Sequence, residues 1–125
     1  MKILITGARS GIAYQVGIRL ASLGHFVYLT VHLEKELVTL EEKVKKYPNI
    51  KCFKLDITLE LDRNKIRDME IDCLINNAAI GIGGSLLELP ISLIKNNFNV
   101  NVFSSLRLSQ IYASNCFVNT NIGDL

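Results

Sequence analysis

The apolar pattern between Lys2 and Asn76 switches back and forth between two periods, and this alternation limits the fold more than any other feature of the chain. Residues 2–6, 26–32, 50–55 and 71–76 are short apolar runs of strand length. Residues 10–23 and 33–46 have helical periodicity, and residues 61–67 form at most a short helix. In the first helix Ile12, Val16, Leu20 and Leu23 share one face. Ala13, Gly17 and Ala21 form an adjoining row of small side chains that lets the backbone lie close to a sheet. In the second helix Leu37, Leu40 and Val44 point inward. Glu34 and Glu36 come early and Lys43, Lys45 and Lys46 late, as the helix dipole favours. Such alternation calls for a parallel sheet, wound right-handed, with helices on both faces. The fourth run is mostly apolar and is expected to be buried on both faces.

After a glycine-rich loop at 81–84, Pro90 opens a long helix over 91–112. Residues 113–125 are polar without a clear period and are expected to form an irregular tail. With 125 residues the chain makes one domain, and its net charge of +2 is too small to point to nucleic acid or a membrane surface. No apolar stretch approaches the ~20 residues that span a bilayer, and no secretory leader is evident. The expected location is therefore cytoplasmic. Cys52, Cys73 and Cys116 lack metal-ligand spacing, and Cys52 and Cys73 read as small buried hydrophobes within strands.

Chemistry first shows in the turn Thr6-Gly7-Ala8-Arg9-Ser10-Gly11-Ile12-Ala13, between the first strand and the first helix. Backbone amides at a helix N-terminus attract a pyrophosphate, and side chains there would block its approach. An ordinary strand-to-helix turn is the competing reading. A Walker phosphate loop is excluded, because no Lys-Ser or Lys-Thr follows the second glycine. The spacing Gly-x-x-x-Gly-x-Ala resembles that of the short-chain dehydrogenase/reductase family, whose members carry a third glycine where this chain has Ala13.

Three further marks follow in the family's order. Leu55-Asp56-Ile57-Thr58 closes the third strand, and the resemblance implies that Asp56 hydrogen-bonds the adenine. A plain turn or cap aspartate remains the alternative. Asn76-Asn77-Ala78-Ala79 closes the fourth strand, where polar amides after an apolar strand need partners, so Asn76 and Asn77 are candidates to fix the loop and cofactor. Ala79 replaces the glycine of the family's Asn-Asn-Ala-Gly. On the long helix, Asn101 falls on a mostly apolar seam with Ile91, Ile94, Phe98, Ser105, Leu108 and Tyr112 and needs a partner there. The resemblance places it in the family's catalytic tetrad, holding a water of the proton relay. It also implies a Rossmann-like domain over 1–112 with sheet order 3-2-1-4 and further C-terminal strands absent. The expected cofactor-binding residues are Gly7, Arg9, Ser10, Gly11, Ile12, His32, Asp56, Ile57, Asn77, Ala78 and Ala79, with no metal.

An acid at the end of strand two would bind the ribose hydroxyls of NAD, whereas this chain has Thr30-Val31-His32. With Arg9 in the glycine turn this favours NADP(H), NAD remaining open; solvated bystander roles for Arg9 and His32 are the alternative. The implied reaction is hydride transfer between nicotinamide and a carbonyl or alcohol substrate. The family's serine and Tyr-x-x-x-Lys pair, which follow the asparagine, have no counterpart here. Tyr47 and Lys51 have that spacing but straddle a helix–strand break. Residues 117–122 resemble a later family segment, which an internal deletion or chance would explain equally. The chain is thus expected to be a truncated oxidoreductase or an inactive dinucleotide-binding or redox-sensing module. A bare fourth-strand edge is expected to pair in a homo-oligomer or edge-paired dimer.

Overall fold

The computed structural model describes residues 1–119. Strand β1 (Lys2–Ile5) lies inside the sheet, pairing in parallel with β2 (Phe26–Val31) on one side and β4 (Cys73–Ile75) on the other. Strand β3 (Ile50–Lys54) pairs with β2, which completes the order β3-β2-β1-β4 that the family resemblance implies. Ile5 sits level with Leu29 and with Ile75, so the carboxyl ends of three strands reach one edge together.

Side chains that alternate along β1 feed two cores. Ile3 and Ile5 pack with Val27, Leu29 and Val31 beneath α1 (Gly11–Ser22) and α2 (Glu34–Val44). Leu4 packs on the opposite face with Leu55, Ile57, Ile66, Val100 and Leu108. α1 meets the sheet through the small row Ala13, Gly17 and Ala21, all buried, while Ile12 and Leu23 are exposed. At Gly17 the approach is so close that a Cβ would stand 2.5 Å from Leu29 Cδ2. In α2, Leu40 and Val44 are buried and Leu37 packs against them. α3 (Glu60–Asn64) is short, as expected, and its end is tied to the rest of the face by Asn115 donating to the Ile66 carbonyl at 3.0 Å.

Three expectations need correction. All three residues of β4 are half-buried rather than buried, because β4 is an edge strand with β1 as its single partner among the described residues. Cys73 on it and Cys52 on β3 are accordingly half-buried too. The long helix is α4 (Ile91–Phe98), a π-helical turn (Asn99–Ser104) and α5 (Ser105–Asn119). A π turn changes the facing of the helix across it, and the buried line through it is Val100, Ser104 and Leu108. Of the expected seam Leu108 is buried, while Ile91 and Phe98, before the turn on the half-covered side, are exposed. α5 also runs through residues 113–119, expected to be an irregular tail. Polar side chains there bond locally or across to other elements, as Ser114 does to the Gln110 carbonyl, so polarity did not break the helix. Residues 120–122 of the resembling 117–122 segment lie outside the described residues.

Candidate functional site

A groove of about 510 Å³ opens at the carboxyl edge of the sheet. Its walls come from the glycine turn, the end of β2, the start of α2, the segment after β3 and the segment after β4. Gly7, Arg9, Ser10, His32, Asp56, Ile57, Asn77, Ala78 and Ala79 all line it, nine of the eleven residues expected to bind cofactor. Gly11 and Ile12 stand beside it at the opening of α1, both exposed.

The turn has its shape because Gly7 and Gly11 both take φ of +67°, a conformation that side chains strain. A Cβ at Gly7 would also lie 2.7 Å from Ala78 Cα, while one at Gly11 would meet nothing within 4 Å. The first turn of α1 has no side-chain cap from Ser10 and no acidic residue, which leaves its amide donors and the positive end of its dipole available to an anion.

Thr6 and Asn77 lock this turn to the segment after β4. The Thr6 hydroxyl oxygen accepts from the backbone N–H groups of Asn77 and Ala78, each at 3.0 Å. In return the Asn77 side-chain amide donates to the carbonyls of Thr6 and Gly7 at 3.1 Å. Asn77 thus positions the turn, whereas Asn76 donates to the Ser109 hydroxyl at 2.8 Å and ties β4 to α5. Asp56 folds its own loop: one carboxylate oxygen accepts from the N–H and hydroxyl of Thr58, at 2.9 and 2.6 Å. Beneath it, buried Asp62 accepts from the Asp56 N–H at 2.7 Å and pairs with Lys54 and Lys65 at 2.7 and 2.9 Å. Burial alone would raise the Asp62 pKa, but these hydrogen bonds together hold it down at about 2.

Among the wall residues not singled out as ligands from the sequence, Glu36 is the charged one. Glu36, on the first turn of α2, pairs with Arg9 at 2.9 Å and stands 3.6 Å from His32 Nδ1, its side chain only 12% exposed. Its position just inside the helix start, where it also accepts from the Leu33 N–H at 3.4 Å, was the available signal. An acid thus stands in the wall five residues beyond the end of β2.

Asn101 is not a wall of the groove but holds one of its walls. Its amide donates to the Ile80 carbonyl at 2.7 Å and its carbonyl oxygen accepts the Ile80 N–H at 2.8 Å, with Asn97 adding a bond to the same carbonyl at 3.1 Å. Among the described residues no tyrosine lines the groove. Tyr47 lies past the end of α2 and Lys51 in β3, so the two do not share a helix. No metal-binding cluster of His, Cys, Asp or Glu occurs among the described residues, and none of their helices is long and apolar enough to cross a membrane.

The family model for short chain dehydrogenase matches residues 1–124. A probable short-chain type dehydrogenase/reductase, VdlC, of Helicobacter pylori is 28% identical over 86% of this chain and 40% of its own length. An NADPH-dependent 3-dehydrocapnine reductase of Ornithobacterium rhinotracheale is 27% identical over 86% of this chain and 40% of its own. Among solved structures, a short-chain type dehydrogenase/reductase from Mycobacterium marinum superposes with a TM-score of 0.81 at 22% identity, covering 90% of this chain and 49% of that one. The chain therefore spans half or less of the length of each.

Proposed function

This chain belongs to the short chain dehydrogenase family, and on that premise we propose that it is the nucleotide-binding portion of an oxidoreductase acting on a carbonyl or alcohol substrate. The observation that carries this reading is the uncapped N-terminus of α1, opened by Gly7 and Gly11 and sharing one groove with Asp56 and Asn77. The amides of Ser10, Gly11 and Ile12 receive the pyrophosphate. The free oxygen of Asp56 and the Ile57 backbone meet the adenine, and Ala78 and Ala79 border the ribose. Bound nicotinamide supplies or takes the hydride. Asn101 holds the loop at Ile80 and, in the whole protein, a water of the proton relay.

NADP(H) is the favoured cofactor. Arg9 and His32 stand where a 2′-phosphate would sit, and one relative is named as NADPH-dependent. Glu36 opposes that choice by holding Arg9. We place the protein in the cytoplasm, since three cysteines outside any disulfide suit a reducing compartment and burial raises the Cys52 thiol to about 11, away from reactive thiolate. The free edge of β4 is completed by another strand, either from a longer chain or from a second copy. A second reading, a cofactor-binding or redox-sensing module without turnover, is favoured by the absence of a tyrosine from the groove among the described residues.

Titration with NADPH and NADH, followed by nicotinamide fluorescence, tests the proposal. Saturable binding with NADPH tighter is expected, and no binding of either would overturn it. Turnover with ketone substrates separates the two readings, and light scattering that shows a monodisperse monomer would refute edge pairing.

A further inference from the structure

A second groove, of about 510 Å³ and sharing no residue with the first, lies between α3 with the turn after it and α5. Arg63, Arg67 and Arg107 line it, with Glu60 as its single acid among the described residues. None of these four forms an ion pair with any described residue. The neighbouring acid Asp62 is already occupied by Lys54, Lys65 and a backbone N–H.

Arg63 is the telling member. It is 5% exposed, yet its partner is one carbonyl, that of Ile57 at 2.8 Å. Its other N–H groups are not sealed in but reach the groove that Arg63 lines, where a guanidinium has donors to offer an anion. Arg67 donates one bond to the Asn64 side chain at 3.1 Å and is otherwise exposed, as is Arg107. The groove is also rigid underneath, where Leu108 and Ile66 are fully buried and Asn115 joins α5 to the Ile66 carbonyl.

We propose that this groove is a second anion site, which takes a small phosphorylated molecule by its phosphate. Three guanidiniums against one carboxylate leave a net charge of +2 to match a phosphate dianion, and planar guanidiniums bind phosphate oxygens in pairs. The Asn64 and Gln110 side chains line the remaining space and suit a polar body on that phosphate rather than an apolar one.

The test is titration of the full chain with inorganic phosphate and with glycerol 3-phosphate, read by amide proton–nitrogen correlation spectra. Shifts at the glycine turn report the nucleotide groove and are read separately. Saturable shifts at Arg63, Arg67, Arg107 and Gln110 are expected, with glycerol 3-phosphate the tighter of the two. R67Q and R107Q change exposed residues, so the fold survives, and each is expected to weaken binding about tenfold. R107K is expected to recover part of that loss. Shifts spread over all surface cations, equal shifts with sodium chloride at matched ionic strength, or undiminished binding by R67Q and R107Q together would overturn the proposal.

Discussion

The inner strand β2 and the edge strand β4 differ in how fully they are covered. On the side of β2, the strand has four of its six residues buried, and α1 and α2 lie over Val27, Leu29 and Val31. On the side of β4, no residue of the strand is fully buried, α4 has none either, and Phe98 and Phe103 are each 52% exposed. Covering layers on both faces and paired strands on both edges are what bury a parallel strand, and β4 has one partner. The nucleotide groove sits where the well-covered side ends. Thr6 is anchored in the buried half and Asn77, which follows β4, is locked onto Thr6 and Gly7, while the outer wall at Ile80 depends on Asn101 in the half-covered one.

The largest effect expected from breaking this contrast comes from overfilling the well-packed side. G17V would drive side-chain atoms into Leu29, which a single Cβ already meets at 2.5 Å, and is expected to cost about 3 kcal/mol by urea unfolding. An unchanged midpoint would mean that α1 is free to move off the sheet.

Next comes the support beneath Asp56. D62N is expected to cost about 2 kcal/mol at neutral pH, because the folded pKa lies at about 2, below the unfolded value. A depressed carboxylate stabilises the fold above its unfolded pKa, near 4, and that stability is lost as pH falls toward 2. Wild type and D62N should therefore converge over that interval, and a constant difference down to pH 2 would contradict the pairing with Lys54 and Lys65.

E36Q sharpens the comparison at the boundary of the two halves. It releases Arg9 and removes a negative charge from the wall, so NADPH is expected to bind about fivefold tighter with NADH little changed. Loss of NADH affinity instead would show Glu36 serving the ribose hydroxyls and would reverse the cofactor choice. The smallest effect is expected on the uncovered side: F98S and F103S should each change stability by no more than about 0.5 kcal/mol while reducing self-association in light scattering.

Much of the site was legible because its signals are local. A glycine turn between a strand and a helix, an acid closing β3 and the Asn76-Asn77 pair closing β4 are set by neighbours in the chain, and parallel pairing brings strand ends to one edge. Glu36 was less visible because its partner Arg9 is 27 positions away, and the period of α2 shows which face turns inward but not which loop stands opposite. The π turn was invisible for a related reason: an extra residue in one helical turn leaves no mark in a period read at 3.6 residues.

The alternation of periods, the small-residue row on α1 and the glycines of the first turn by themselves determined a parallel sheet with helices on both faces and an anion-receptive helix end, while its order β3-β2-β1-β4 was implied by the family resemblance. These are properties of backbone sterics and of which face of an element is apolar, and both are written in consecutive residues. Tertiary structure alone decided that Asn77 braces the turn, that Asn101 grips Ile80, that Glu36 holds Arg9, and that Arg63 is buried with no acid paired to it among the described residues. Each of these depends on the distance between side chains far apart in sequence, which only the packing of helices on both faces of the sheet sets.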